Sequence, residues 1–86
     1  MATNDAIRAG IMAVIQTAKE VCNNWRDTGT GIPETIIYLG LKTDMQEYKG
    51  FAKCLEKAGL VRENNQWFPG ECLKAALNAK RPGFDS

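Results

Sequence analysis

Between Asn4 and Trp25 the apolar residues Ile7, Ile11, Val14, Ile15, Ala18, Val21, Cys22 and Trp25 recur at helical spacing. They fall inside a stripe roughly 120° wide, with Arg8, Gln16, Lys19, Glu20 and Asn23 on the other side. The pattern predicts one long amphipathic helix over residues 4–25. Asn4 or Thr3 caps its start, and Asp5 suits the positive end of the helix dipole. Such a helix must pack one face against other parts of the chain.

The stretch "RDTGTGIP" then breaks the periodicity with Gly29, Gly31 and Pro33. Gly29 and Gly31 form a GxG, but the lysine and hydroxyl residue of a phosphate loop are missing, as is the third glycine of a dinucleotide fingerprint. The segment therefore reads as a hinge. Pro33 fits the first position of a second helix, with Glu34 in its first turn. Ile32, Ile36 and Leu39 are expected to share its buried face, and Gly40 to stop it. At about two turns it would not stand alone.

A third helix opens at "TDMQEYKG", where Thr43-x-x-Gln46 and Asp44-x-x-Glu47 both have the form of a capping box. Met45, Tyr48, Phe51, Ala52 and Leu55 make its buried stripe, Lys57 suits its last turn, and Gly59 ends it. "LVRENNQWFP" has the form of a tight hairpin, because Asn64 and Asn65 tolerate the left-handed conformation of a two-residue turn. Its register pairs Arg62 with Trp67 and Val61 with Phe68. Val61 and Phe68 are expected to close the core, with Arg62 lying over the Trp67 ring. Pro69 and Gly70 end the hairpin. "ECLKAALNAK" gives a last short helix with Cys72, Leu73, Ala76 and Leu77 inward. The predicted fold is mainly α, a three-helix core with a two-stranded β-hairpin and a short C-terminal helix. It occupies one domain over residues 1–80, followed by a flexible tail at 81–86.

The size of 86 residues agrees with a single domain and leaves little core to stabilise it, unless a partner subunit adds to it. Eleven basic and ten acidic residues give a formal charge of +1, so any nucleic-acid role must rest on a local patch. No apolar run is long enough to span a bilayer, and "MATNDAIRAG" lacks the positive start of a secretory signal. A cytoplasmic protein without a membrane partner is expected. Cys22, Cys54 and Cys72 form no CxxC pair and the chain contains no histidine, which argues against a metal site. The thiols are expected to be reduced and mostly buried. Without histidine, a complete phosphate loop or a nucleophile beside a base, neither an enzyme nor a cofactor is expected.

The element order, with "LGL" before the third helix and "LEKAGLV" after it, resembles the winged helix-turn-helix superfamily across roughly residues 5–70. Leu55, Gly59, Leu60 and Val61 look like the end of a recognition helix running into the first wing strand. The resemblance implies a third helix that enters the major groove of double-stranded DNA and a wing that touches the neighbouring backbone. It further implies a dimeric protein acting in transcription regulation. One position departs from the pattern. Six residues after Gly40, where such turns commonly bury an apolar side chain, stands Gln46, and the first strong anchors are Met45 and Tyr48. A turn lengthened by about two residues would tilt the third helix.

Opposite Tyr48 and Leu55, the third helix presents Gln46, Gly50, Lys53 and Lys57, with Lys49 at one edge. Gln46 suits adenine, the lysines suit guanine or phosphate, and Gly50 leaves room for close approach. Lys42 in the turn and Arg62 in the hairpin extend the positive surface, and the Asn64–Asn65 tip reaches toward the backbone. Against this stand Glu47 and Glu56 on the flanks, and Asp44, which repels phosphate unless engaged as a cap. The competing expectation is a winged-helix domain that binds another protein and no DNA. The first helix's stripe, longer than a small core needs, points to self-association as a homodimer with Met12 a contact. Alternatively, Trp25 packs under the last helix.

Overall fold

The computed structural model describes residues 4–79, with side-chain environments from Gly10 to Ala79. The described chain runs α1 (Asn4–Thr28), β1 (Ile32–Pro33), α2 (Glu34–Leu41), α3 (Met45–Lys57), β2 (Leu60–Glu63), β3 (Gln66–Pro69) and α4 (Glu71–Ala79). It is mainly helical, with a small antiparallel sheet in the order β1-β3-β2. The choice of cap between Thr3 and Asn4, the side chain of Ile7 and the tail at 81–86 lie outside the described residues.

The hairpin expected to stand as two strands gains a third. Ile32 pairs with Trp67 and Pro33 with Gln66. Ile32 is thus a strand residue and not part of the α2 face. A residue before proline is biased toward extended backbone, which favours this. Gly31 makes the approach possible: a Cβ there would lie 2.8 Å from the Phe68 ring and 2.9 Å from the Trp67 carbonyl oxygen.

Helix α1 continues three residues beyond Trp25, to Thr28. The Thr28 hydroxyl donates to the Asn24 carbonyl at 2.7 Å, and Gly29, at φ 73°, closes the end by donating to the Trp25 carbonyl at 2.7 Å. Its inward line is Val14, Thr17, Ala18, Val21 and Cys22, with Trp25 under the Lys74 ammonium of α4 at 5.5 Å. Ile11 and Ile15 belong to the predicted stripe yet are 55% and 45% exposed. Among the described residues, the core packs on α1 from Val14 onward, so the stripe outruns the part of it that they cover.

The centre consists of Val21, Ile37, Tyr48, Ala52, Leu55, Leu60 and Trp67. Trp67 is fully buried, and its Nε1–H donates to the Tyr48 hydroxyl at 3.0 Å. Tyr38 meets Tyr48 edge-on with ring centroids 5.2 Å apart. Asn64 and Asn65, at φ 51° and 61°, form the left-handed tip, and the strand register pairs Val61 with Phe68 and Arg62 with Trp67. The face is the reverse of that expected. Leu60 and Trp67 are buried, Val61 is exposed, and Phe68 is half-buried beneath Lys74. Register alone leaves the two faces of a hairpin equivalent, and the larger apolar body, Trp67, takes the interior. Arg62 does lie over the Trp67 ring, at 5.9 Å from its centroid.

Two other expected faces are rotated, those of α2 and α4, and the α3 stripe loses one member. Ile36 and Leu39 point outward from α2, 60% and 70% exposed, while Ile37 is buried and Tyr38 and Leu41 pack beside it. Gly40 does not stop that helix. It ends at Lys42, which adopts φ 53° and ψ 46° and donates to the Leu39 carbonyl at 3.3 Å. Tyr48, six positions after Lys42, is the buried residue that Gln46 was not. Met45 is exposed rather than part of the α3 stripe. On α4 Leu73 and Leu77 are half-buried, whereas Cys72 and Ala76 are exposed. The cysteines are free, but only Cys22 is half-buried, Cys54 and Cys72 being exposed. Burial pushes the Cys22 thiol up. No helix among the described residues is long and apolar enough to cross a membrane.

Burial raises the Tyr48 phenol above its ordinary value, and the nearby Glu34 carboxylate adds to this, against the lowering effect of the Trp67 donor. A raised folded-state value favours the neutral form in the fold. That stability is complete below the ordinary tyrosine value of about 10 and is lost as pH rises through the folded value. Tyr48→Phe is expected to cost about 1–3 kcal/mol in urea unfolding at neutral pH, because it orphans the Trp67 donor. It is also expected to flatten the fall in stability that the wild type shows above about pH 10. A variant as stable as wild type would remove that bond from the core.

Candidate nucleic-acid interface

Asp44 is the residue that starts α3. Its Oδ1 accepts from the Glu47 backbone N–H at 2.8 Å, and Thr43 makes no equivalent bond. The carboxylate best placed to repel phosphate is thereby engaged at the helix start. From this start, burial of Tyr48, Ala52 and Leu55 turns Gln46, Lys49, Gly50, Lys53 and Lys57 into solvent. Gly50 is open. A methyl group there would meet no atom within 4 Å.

A groove of about 500 Å³ runs between α3 and the hairpin. Gln46, Lys49, Gly50 and Lys53 form one wall, Arg62 and Glu34 the other, and Tyr48 and Ala52 lie between them. Among the described residues no ion pair holds Lys42, Lys49, Lys53 or Lys57. Arg62 differs. Its Nη1 donates to Glu34 Oε2 at 2.6 Å, and this contact holds the guanidinium above its ordinary pKa. The Glu34 backbone N–H in turn donates to the Asn65 carbonyl at 2.8 Å, tying the first turn of α2 to the hairpin tip.

The groove thus brings together Gln46, Lys49, Gly50, Lys53 and Arg62. It does not include Lys42, in the turn after α2, Lys57, in the last turn of α3, or Asn64 and Asn65 at the hairpin tip. Residues the sequence did not bring to this place are Glu34, Met45, Tyr48, Ala52 and Glu56. Glu34 is visible in the sequence only as a first-turn carboxylate. Its link to Arg62 arises from the pairing of β1 with β3, which has no local signature. Among the described residues no three potential metal-ligating side chains cluster together. The chain matches no family model, no curated protein and no solved structure.

Open space at Gly50 sets a clear expectation for stability. Gly50→Ala should stabilise the chain by about 1 kcal/mol, the difference in helix propensity, read as a higher urea midpoint with unchanged slope. A destabilised variant would mean that this face of α3 is covered.

Proposed function

We propose that this chain is a winged-helix DNA-binding regulator that reads the major groove with α3. The observation that carries the reading is the strip Gln46, Lys49, Gly50, Lys53 on α3, which makes no ion pair among the described residues and is bordered by Arg62 of the hairpin. A hairpin directly after the third helix, pinned through β1 and the Glu34–Asn65 bond, supports it as a wing. So does the buried Tyr48 that follows the left-handed Lys42 in the turn.

In this reading Gln46 addresses a base edge, Lys49 and Lys53 address guanine or phosphate, and Gly50 admits the duplex closely. Lys42 and Lys57 lie near the two ends of α3, where they meet flanking phosphates. The hairpin tip, with Asn64 and Asn65, touches the backbone beside them. A net charge of +1 offers little long-range attraction, so affinity depends on these few contacts. Neutralising the phosphates opposite the four lysines gives a plot of log affinity against log salt with a slope of about −3 to −4. A gel-shift titration of mixed duplex DNA at two salt concentrations reads this slope. Lys53→Glu should abolish binding with the helical circular dichroism intact. Unchanged affinity in that variant would remove the strip as the reading face.

Exposed Ile11 and Ile15 on α1 favour self-association as a homodimer, which would supply a second α3 for a second half-site. Ile15→Asp should then shift the dimer to monomer in light scattering. A wild type monomeric at high concentration would end that part of the proposal. Outward Ile36 and Leu39 on α2 favour a second reading, in which the fold docks another protein and binds no DNA. Absence of DNA binding at low salt is the result that selects it.

A further inference from the structure

Arg62 is the only basic residue in the hairpin, and it is not free. Its partner Glu34 is the more enclosed of the two, with 24% of the side chain exposed against 50% for Arg62, and the Glu34 backbone is bonded to the hairpin tip. The carboxylate is thus fixed, and the guanidinium sits at the solvent rim over Trp67. Both line the same groove as Lys49 and Lys53.

We infer that Glu34 is an internal rival of the DNA phosphate for Arg62, and that the hairpin's cation joins the interface only by exchanging this carboxylate for a phosphate. The inference rests on the DNA-binding reading and specifies how its wing is regulated. The contact is a single Nη1···Oε2 bond, and a phosphate oxygen offers the guanidinium an equivalent charged acceptor, so one can replace the other. In a half-exposed pair the net worth of the original contact is small, which makes it exchangeable. The carboxylate left behind is accommodated: it lies in the first turn of α2, at the positive end of the helix dipole, with the Tyr48 hydroxyl as a neighbour. Glu34 therefore weakens indiscriminate phosphate binding and makes wing engagement depend on a duplex that first seats α3.

The test measures anisotropy of a labelled mixed-sequence duplex with wild type, Glu34→Gln, Arg62→Gln and the double variant, at several salt concentrations. Glu34→Gln is expected to bind about two- to fivefold tighter, the worth of the half-exposed pair that no longer has to be given up. Its salt slope should steepen by about 0.9, one more phosphate, and Arg62→Gln should erase both gains. Glu34→Asp, with a shorter reach to Arg62, should fall between and serves if the amide variant folds poorly. If wild type binds and Glu34→Gln binds no better, the exchange is overturned while the DNA-binding reading stands. A gain that persists in the Arg62→Gln background also overturns it, since Glu34 would then repel phosphate directly. Binding by Glu34→Gln alone would uphold the exchange and end the reading for the native chain. If neither binds, both fall.

Discussion

The hydrogen bond from Trp67 to Tyr48 is the contact on which the arrangement of the groove depends. An indole can be buried completely only if its single N–H finds an acceptor, and a phenol on the facing helix supplies one. Once Trp67 points inward, the two-residue period of the strands places Leu60, Arg62 and Pro69 on its side of the sheet and Val61 and Phe68 on the other. Once Tyr48 points inward, the helical period turns Gln46, Lys49, Gly50 and Lys53 outward. Arg62 then lies over the indole and against Glu34. A core contact therefore sets the composition of the surface.

That surface is electrostatically divided. Lysines that have no ion-pair partner among the described residues line one wall of the groove, and a paired arginine with its carboxylate lines the other. Glu56 adds an acid to the α3 wall itself, close enough to act on the charge of Arg62. In a chain of near-zero net charge, such a division favours a ligand that meets the α3 wall first, and the proposed exchange at Arg62 follows from the same asymmetry. Affinity and discrimination are then separable. In the proposed DNA-binding reading the lysines supply the former, and the Glu34–Arg62 pair controls how much the hairpin adds.

The exposed apolar positions form a second theme. Among the described residues the core holds seven buried hydrophobic side chains, a small number, and Ile11, Ile15, Ile36 and Leu39 contribute little to it. Small domains gain disproportionately from a partner that covers such residues, because each buried side chain is a large fraction of a marginal total. The proposed homodimer would use the α1 group, leaving the α2 group and the α3 groove on separate elements. Trp25, in contrast, belongs to the domain itself, under Lys74 of α4.

The sequence by itself determined the long elements and the sharp turns. Helices α1 and α3 carry enough periodic positions, and Asp44, Gly59 and the Asn64–Asn65 pair carry enough local chemistry, to locate them and to set the hairpin register. The outward strip on α3 was legible for the same reason, since Tyr48, Ala52 and Leu55 define the opposite side. Tertiary structure alone decided β1, the faces of α2, α4 and the hairpin, and the pairing of Glu34 with Arg62. A segment of two to nine residues has too few apolar positions to choose a face, so the choice passes to whichever neighbour offers the larger surface or an acceptor for a buried donor. Trp67 was chosen over Val61 on that ground, with the Tyr48 hydroxyl as the acceptor. The wall of the groove opposite α3 was consequently hidden until the chain had folded.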